Sequence, residues 1–166
     1  MKKFRWIHLA AIVAIGAAAA FAGRDFGPMF QAASLHRDAT VVDMHCDTIS
    51  RFMAGEDLTK DLPTGHVDIP KLKAGSVDLQ VFAAYVAPPR NETEKISAAK
   101  RAFDQIDAVH RLIAGSPNDL ALVLRPNEIA PLKSLNKTGI LIGIEGGYAI
   151  ENDLSRSGRF IGPASG

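Results

Sequence analysis

His45 and Asp47 stand one residue apart at the end of the run Val41-Val42-Asp43-Met44-His45-Cys46-Asp47. Read as a buried strand, that run turns both side chains to one face, roughly 7 Å apart at Cα. An imidazole and a carboxylate converging from one strand end are donor types that grip a divalent metal such as zinc. A hydrogen-bonded polar pair at a strand end accounts for the same spacing, so the pair alone does not decide. A third donor comes from Ile140-Leu141-Ile142-Gly143-Ile144-Glu145, a second strand that ends in a carboxylate just before Gly146-Gly147. Asp43 shares the face of His45 by period two, where it either orients a ligand from behind or serves as a buried structural carboxylate.

These residues need a scaffold that brings strand ends together. Strands are expected at about 41–47, 77–86, 120–124 and 139–145, each a near-continuous apolar run. Residues 48–70 read as irregular or weakly helical, and 69–75 as a short helix with Pro70 near its start and Gly75 just past its end. Asn91 and Glu94 make an N-cap with its reciprocal acid. Ile96, Phe103, Ile106 and Ile113 then form an apolar stripe on a helix ended by Gly115. Residues 127–136 predict another short helix, broken near Pro131. Strand, crossover and strand repeat, which argues for parallel strands covered by helices. In such folds chemistry sits beyond the C-terminal strand ends, where His45, Asp47 and Glu145 all fall.

The 166 residues are 47% hydrophobic and 22% charged, a globular composition, and a net charge of +1 makes no case for nucleic acid as partner. One cysteine, Cys46, excludes an intrachain disulfide. Between the two metal-ligand candidates, Cys46 points to the opposite face and reads as a small hydrophobe. Lys2, Lys3 and Arg5 precede an apolar stretch from Trp6 to Ala22, and Ala20-Phe21-Ala22 forms an A-x-A cleavage signature. Residues 1–22 are therefore expected to be a secretory signal. Their rival reading is an uncleaved membrane anchor, so the localisation expected is periplasmic, secreted or anchored at a bacterial inner membrane. Residues 23–40 follow as a polar lead-in, with Gly27-Pro28 as a helix breaker.

The stretches Val-Val-Asp-Met-His-Cys-Asp-Thr (41–48), His-Val-Asp-Ile-Pro-Lys-Leu-Lys-Ala-Gly (66–75), Gln-Val-Phe-Ala-Ala-Tyr-Val (80–86) and Gly-Ile-Glu-Gly-Gly (143–147) with Glu-Asn-Asp-Leu (151–154) resemble the renal (membrane) dipeptidase family of zinc metallopeptidases. The resemblance covers nearly all of residues 35–155. It implies a (β/α)8 TIM-type barrel, of which this chain carries the N-terminal half. It also implies hydrolysis of dipeptides at a two-zinc centre, with His45 and Asp47 on the first zinc and Glu145 bridging both. A bridging carboxylate holds two metals about 3.5–4 Å apart, and the net positive charge would polarise the scissile carbonyl. For intact relatives it implies a homodimer. Barrel hydrolases of the amidohydrolase type favour His-x-His on the first strand, and Asp47 argues against them.

The family's further histidine ligands, substrate-binding His and Arg and catalytic Asp lie downstream of the bridging glutamate. No residue here takes those roles. After residues 41–155, the partial barrel domain, the tail 156–166 lacks the aromatic-rich helix and Gly-Val-Arg element of the family. One frame over, codons permitted by those residues can spell Leu-Gly-Glu-Val-Tyr-Arg-Ala-Gly-Val-Arg. The expectation is a truncated or frameshifted product of low or no activity, the alternative being an exported non-catalytic metal- or partner-binding remnant. His66 and Asp68 repeat the His-x-Asp spacing, but in a turn ahead of Pro70 they read as a loop contact or helix cap. His8, His36 and His110 have no partner at ligand spacing, and Gln80, sharing a face with Phe82, reads as a buried amide satisfying backbone groups.

Overall fold

The structure is a computed structural model that describes residues 27–93, 97–156 and 158. The expected signal (1–22), Ile96 of the expected stripe and nearly all of the tail lie outside the described residues. The chain divides into two units between Ala39 and Thr40. In the first, α1 spans Gly27–Asp38. Residues 27–38 of the lead-in are thus helical. Gly27-Pro28 opens a helix, because a proline in the first turn lacks only an N–H that has no intrahelical partner there. His36 and Arg37 in its last turn suit the negative end of the helix dipole. Among the described residues no helix is long and apolar enough to cross a membrane.

The second unit is built on four parallel strands, β1 (Val42–Cys46), β2 (Leu79–Tyr85), β3 (Leu120–Leu122) and β4 (Thr138–Glu145), in the order β1-β2-β4-β3. β2 lies between two neighbours and is buried at every residue except Tyr85, as its unbroken apolar run requires. It pairs with β4 from Leu79↔Gly139 to Tyr85↔Glu145, so Tyr85 and Glu145 finish side by side. The fourth strand, β4, is not the edge of the sheet along its whole length. β3 lies outside it, pairing Leu120–Leu122 with Thr138–Ile140, and Val123 N–H adds a bond to the Ile140 carbonyl at 2.8 Å. Only the C-terminal part of that edge of β4 is without a strand.

Helices α2 (Ile49–Met53), α3 (Ile69–Ala74), α4 (Ala98–Gly115) and α5 (Ile129–Ser134) accompany the sheet. Phe82 and Ile140 from the strands pack with Ile49, Leu58, Val109 and Leu112 in one core. α4 buries Ala98, Ala102, Ala108, Val109 and Leu112, while Phe103, Ile106 and Ile113 of the expected stripe are half-buried flanks. Small side chains let the helix backbone approach the sheet, so the contact line runs through alanines and the larger residues sit beside it. α2 occupies part of the stretch expected to be irregular. α3 matches its expectation, with Pro70 in the first turn and Asp68 as N-cap, accepting from Lys71 N–H at 2.9 Å. Pro131 does not break α5. It is the third residue of the helix, still within the turn whose N–H groups lack partners.

Candidate metal centre

The C-terminal end of β1 departs from regular strand geometry. Asp43 pairs with Gln80 but Cys46 with Phe82, so three steps on β1 face two on β2. That is a β-bulge, one extra residue that bends the strand and re-aims its side chains. Met44 and His45 consequently both face solvent, while Cys46 turns into the core. Strict alternation does not hold across Asp43 to His45. Asp43 instead accepts a hydrogen bond from the His45 backbone N–H at 3.1 Å, holding the main chain of the bulge rather than the imidazole. Gln80, fully buried, donates through Nε2 to the Val81 carbonyl at 3.1 Å and toward the Asp43 carbonyl at 3.5 Å. It is the buried amide the sequence implies, placed under the bulge.

Asp47 follows the strand immediately. Its carbonyl accepts from Ser50 N–H at 3.1 Å and Ser50 Oγ at 2.8 Å, so the first turn of α2 anchors its backbone while the carboxylate points outward. Glu145 ends β4. Its carbonyl accepts from Val86 N–H at 2.8 Å, which fixes its height against β2. Gly146 then leaves the sheet at φ +94, and a Cβ there would meet the Val86 carbonyl oxygen at 2.3 Å. No other residue fits that exit.

These elements bring together the three candidates. His45 Nε2 lies 3.5 Å from Asp47 Oδ1 and 3.3 Å from Glu145 Oε2. One donor atom from each residue falls within 4.8 Å of the others. Donors about 2.0–2.1 Å from a tetrahedral zinc are separated by about 3.3 Å, so the two shorter distances match edges of a coordination polyhedron. All three side chains are about half exposed, and among the described residues no Lys or Arg pairs with either carboxylate. Two carboxylates and an imidazole gather here, and His45 and Asp47 line a cavity of about 490 Å³ together with Arg51 and His66. The donor set fits a divalent cation.

Other candidates fall elsewhere. Cys46, 9% exposed, sits with the helix-side core. Burial pushes its thiol up to about 11, only partly offset by hydrogen bonds from Thr48, and its sulfur is not among the clustered donors. His66 lines the cavity without joining the donor cluster, and its neighbour Asp68 is a helix cap. His110 is exposed on α4 and His36 lies on α1. Sequence reasoning missed Tyr85 and Gln105, which with Asp47, Ser50 and Met53 line a second cavity of about 350 Å³ between α2 and α4. No periodicity separates Gln105 from an ordinary solvated helix residue.

Parallel strands whose C-terminal ends gather His, Asp and Glu define an α/β architecture with a candidate metal site on the face where such folds place their chemistry. Residues 29–158 match the model of the membrane dipeptidase family, peptidase family M19, and the chain belongs to that family. It is 30% identical over 126 residues to the dipeptidase AtaJ of Aspergillus terreus, covering 69% of this chain and 31% of that protein. Its fold is similar to the crystal structure of the probable dipeptidase PvdM from Pseudomonas aeruginosa, with TM-score 0.70 and 19% identity, over 80% of this chain and 34% of that one. A metallopeptidase from Rhodobacter sphaeroides, liganded with a phosphinate mimic of the dipeptide L-Ala-D-Ala, superposes with TM-score 0.63 at 20% identity, over 73% of this chain and 42% of that one. The chain therefore spans under half the length of each of these relatives and carries part of their TIM-type barrel.

Proposed function

We propose that this chain supplies the first metal-binding half of a dipeptidase active centre, with zinc as the cation and dipeptides as the substrate class. His45, Asp47 and Glu145 would hold the metal. Bound there, zinc would supply Lewis acidity toward the scissile amide carbonyl and a water. The protein's own contribution is placement. The bulge aims the imidazole outward, α2 anchors Asp47 and Gly146 frees Glu145 to face them both. The observation that carries the reading is the 3.3 and 3.5 Å spacing of His45 Nε2 from the two carboxylates.

Three donors gather among the described residues, so this stretch by itself is expected to hold one metal ion with little turnover. We further propose that residues 1–22 direct export, by cleavage or as an anchor, which fractionation of expressing cells tests. The functional test is zinc stoichiometry by calorimetry alongside hydrolysis of a dipeptide panel. About one zinc per chain with negligible hydrolysis is the expected result. Two zincs with turnover typical of complete enzymes would show a whole active centre, and no zinc binding would sink the assignment.

A further inference from the structure

Tyr85 is the last residue of β2, and its main-chain groups face a gap. In a parallel sheet the N–H and C=O groups of successive residues point alternately to the two neighbouring strands. Val86 N–H bonds to the Glu145 carbonyl on β4, so the main-chain groups of Tyr85 face the β1 side. There β1 has already ended, because Cys46 pairs with Phe82 and the chain turns off through Asp47 into α2. The backbone of Tyr85 is nevertheless satisfied. Gln105 Oε1 accepts from Tyr85 N–H at 3.1 Å, and Gln105 Nε2 donates to the Tyr85 carbonyl at 2.7 Å. The same Nε2 lies 3.2 Å from the Arg101 carbonyl one turn earlier in α4, which holds the amide in this orientation.

We propose that Gln105 is a positioning residue whose carboxamide stands in for the missing strand partner of Tyr85. It lets β1 break off early, freeing Asp47, while β2 keeps its register against Glu145. A side-chain amide carries the donor and acceptor of a peptide group, so it fills a strand vacancy that no shorter or apolar residue could. Without it, two backbone groups beside the 350 Å³ cavity would lose their protein partners, and the strand end that sets the height of Glu145 would loosen. The inference rests on the proposed metal site only in its last step, from Tyr85 to Glu145.

The test uses the full chain with Gln105→Leu, which removes both bonds, and Gln105→Glu, which keeps an acceptor but sets an oxygen against the Tyr85 carbonyl. Hydrogen exchange at the Tyr85 amide should accelerate about tenfold or more in Gln105→Leu and less in Gln105→Glu, which still accepts from it, with the Val81 amide on the same strand unchanged. Cobalt titration, followed by its visible absorption, should show affinity weakened about tenfold. Unchanged protection at Tyr85 overturns the strand-replacement role. Faster exchange at Tyr85 with undiminished cobalt affinity overturns the positioning role. Wild-type chain that binds no cobalt would refute the metal reading instead, leaving the exchange at Tyr85 to decide the role of Gln105 by itself.

Discussion

The two ends of the sheet carry acids in opposite circumstances. At the N-terminal end Asp78 is 6% exposed, accepts from Val41 N–H at 2.8 Å and pairs with Lys133 Nζ at 2.9 Å, all before β2 begins. Its carbonyl accepts from Gly139 N–H at 2.8 Å, and beside it Thr138 Oγ1 donates to the Val77 carbonyl at 2.9 Å. At the C-terminal end Asp47 and Glu145 are half exposed and meet only the imidazole of His45. An acid whose lone pairs are occupied by N–H groups and an ammonium is part of the scaffold. An acid left with lone pairs facing a cavity is available to a cation. The difference lies in burial and partners, since the residue types are the same.

Substitutions at the two ends should therefore separate stability from metal binding, and these are the largest effects expected. Asp78→Ala leaves Lys133 and Val41 N–H without their carboxylate and should cost about 3 kcal/mol by chemical denaturation. Its zinc affinity, measured in the folded range, should stay within about twofold. Glu145→Gln should do the reverse, weakening zinc by about 100-fold with a stability change within about 0.5 kcal/mol. If both variants lose stability and neither loses zinc, the contrast between the two ends is wrong.

Gly146→Ala sharpens the contrast, because it perturbs the top end by backbone rather than by charge. The new Cβ would collide with the Val86 carbonyl oxygen, and the φ of +94 is strained for alanine. A loss of about 2 kcal/mol is expected, together with weaker zinc binding as Glu145 shifts. Calorimetric zinc titration of the variant checks the second half. An affinity equal to wild type would mean Glu145 is held by something other than this turn.

The pattern of the strands was legible because buried parallel strands read as unbroken apolar runs, and their ends carried the three donors. What stayed hidden has physical reasons. The bulge at Met44-His45 leaves no compositional trace, since any residues can occupy it, so strict alternation misplaced Asp43 relative to the imidazole. The place of β3 outside β4 depends on long-range pairing that no local pattern encodes. The buried line of α4 runs through alanines, which carry little weight in a periodicity of large residues. Pro131 looked like a breaker because its place in the helix was set by the preceding turn, where Glu128 accepts from Leu124 and Arg125 N–H at 2.8 and 3.1 Å.

A smaller effect tests a scaffold acid away from the strand ends. Burial would raise the Asp68 carboxyl, but the Lys71 side chain and the N–H groups of Lys71 and Leu62 outweigh it and hold it below the ordinary value. The folded carboxyl is thus more acidic than the unfolded one, near 3.9. Its stabilisation is complete above about pH 4 and is lost as the pH falls through the depressed folded value. Thermal midpoints should be flat from about pH 7 to 5 and then drop. Asp68→Asn, which keeps a helix cap, should lower stability at neutral pH by about 1 kcal/mol and shallow the acid limb. An unchanged acid limb would remove Asp68 from the scaffold argument.

The smallest effect expected at the metal site comes from the residue between two of its donors. Cys46 sits between His45 and Asp47 in sequence, so a thiolate ligand would be the natural suspicion for any strand that kept all three residues near the cation. Cys46 instead packs in the core beside Phe82, on the face opposite its two neighbours, with its thiol raised to about 11 by burial. Cys46→Ala should cost about 1 kcal/mol for the lost packing and change zinc affinity by no more than about twofold. Native protein should react with a thiol reagent at pH 8 only as fast as it unfolds, because the neutral buried thiol is neither nucleophilic nor accessible. A tenfold loss of zinc in Cys46→Ala would mean that sulfur reaches the cation instead of staying in the core.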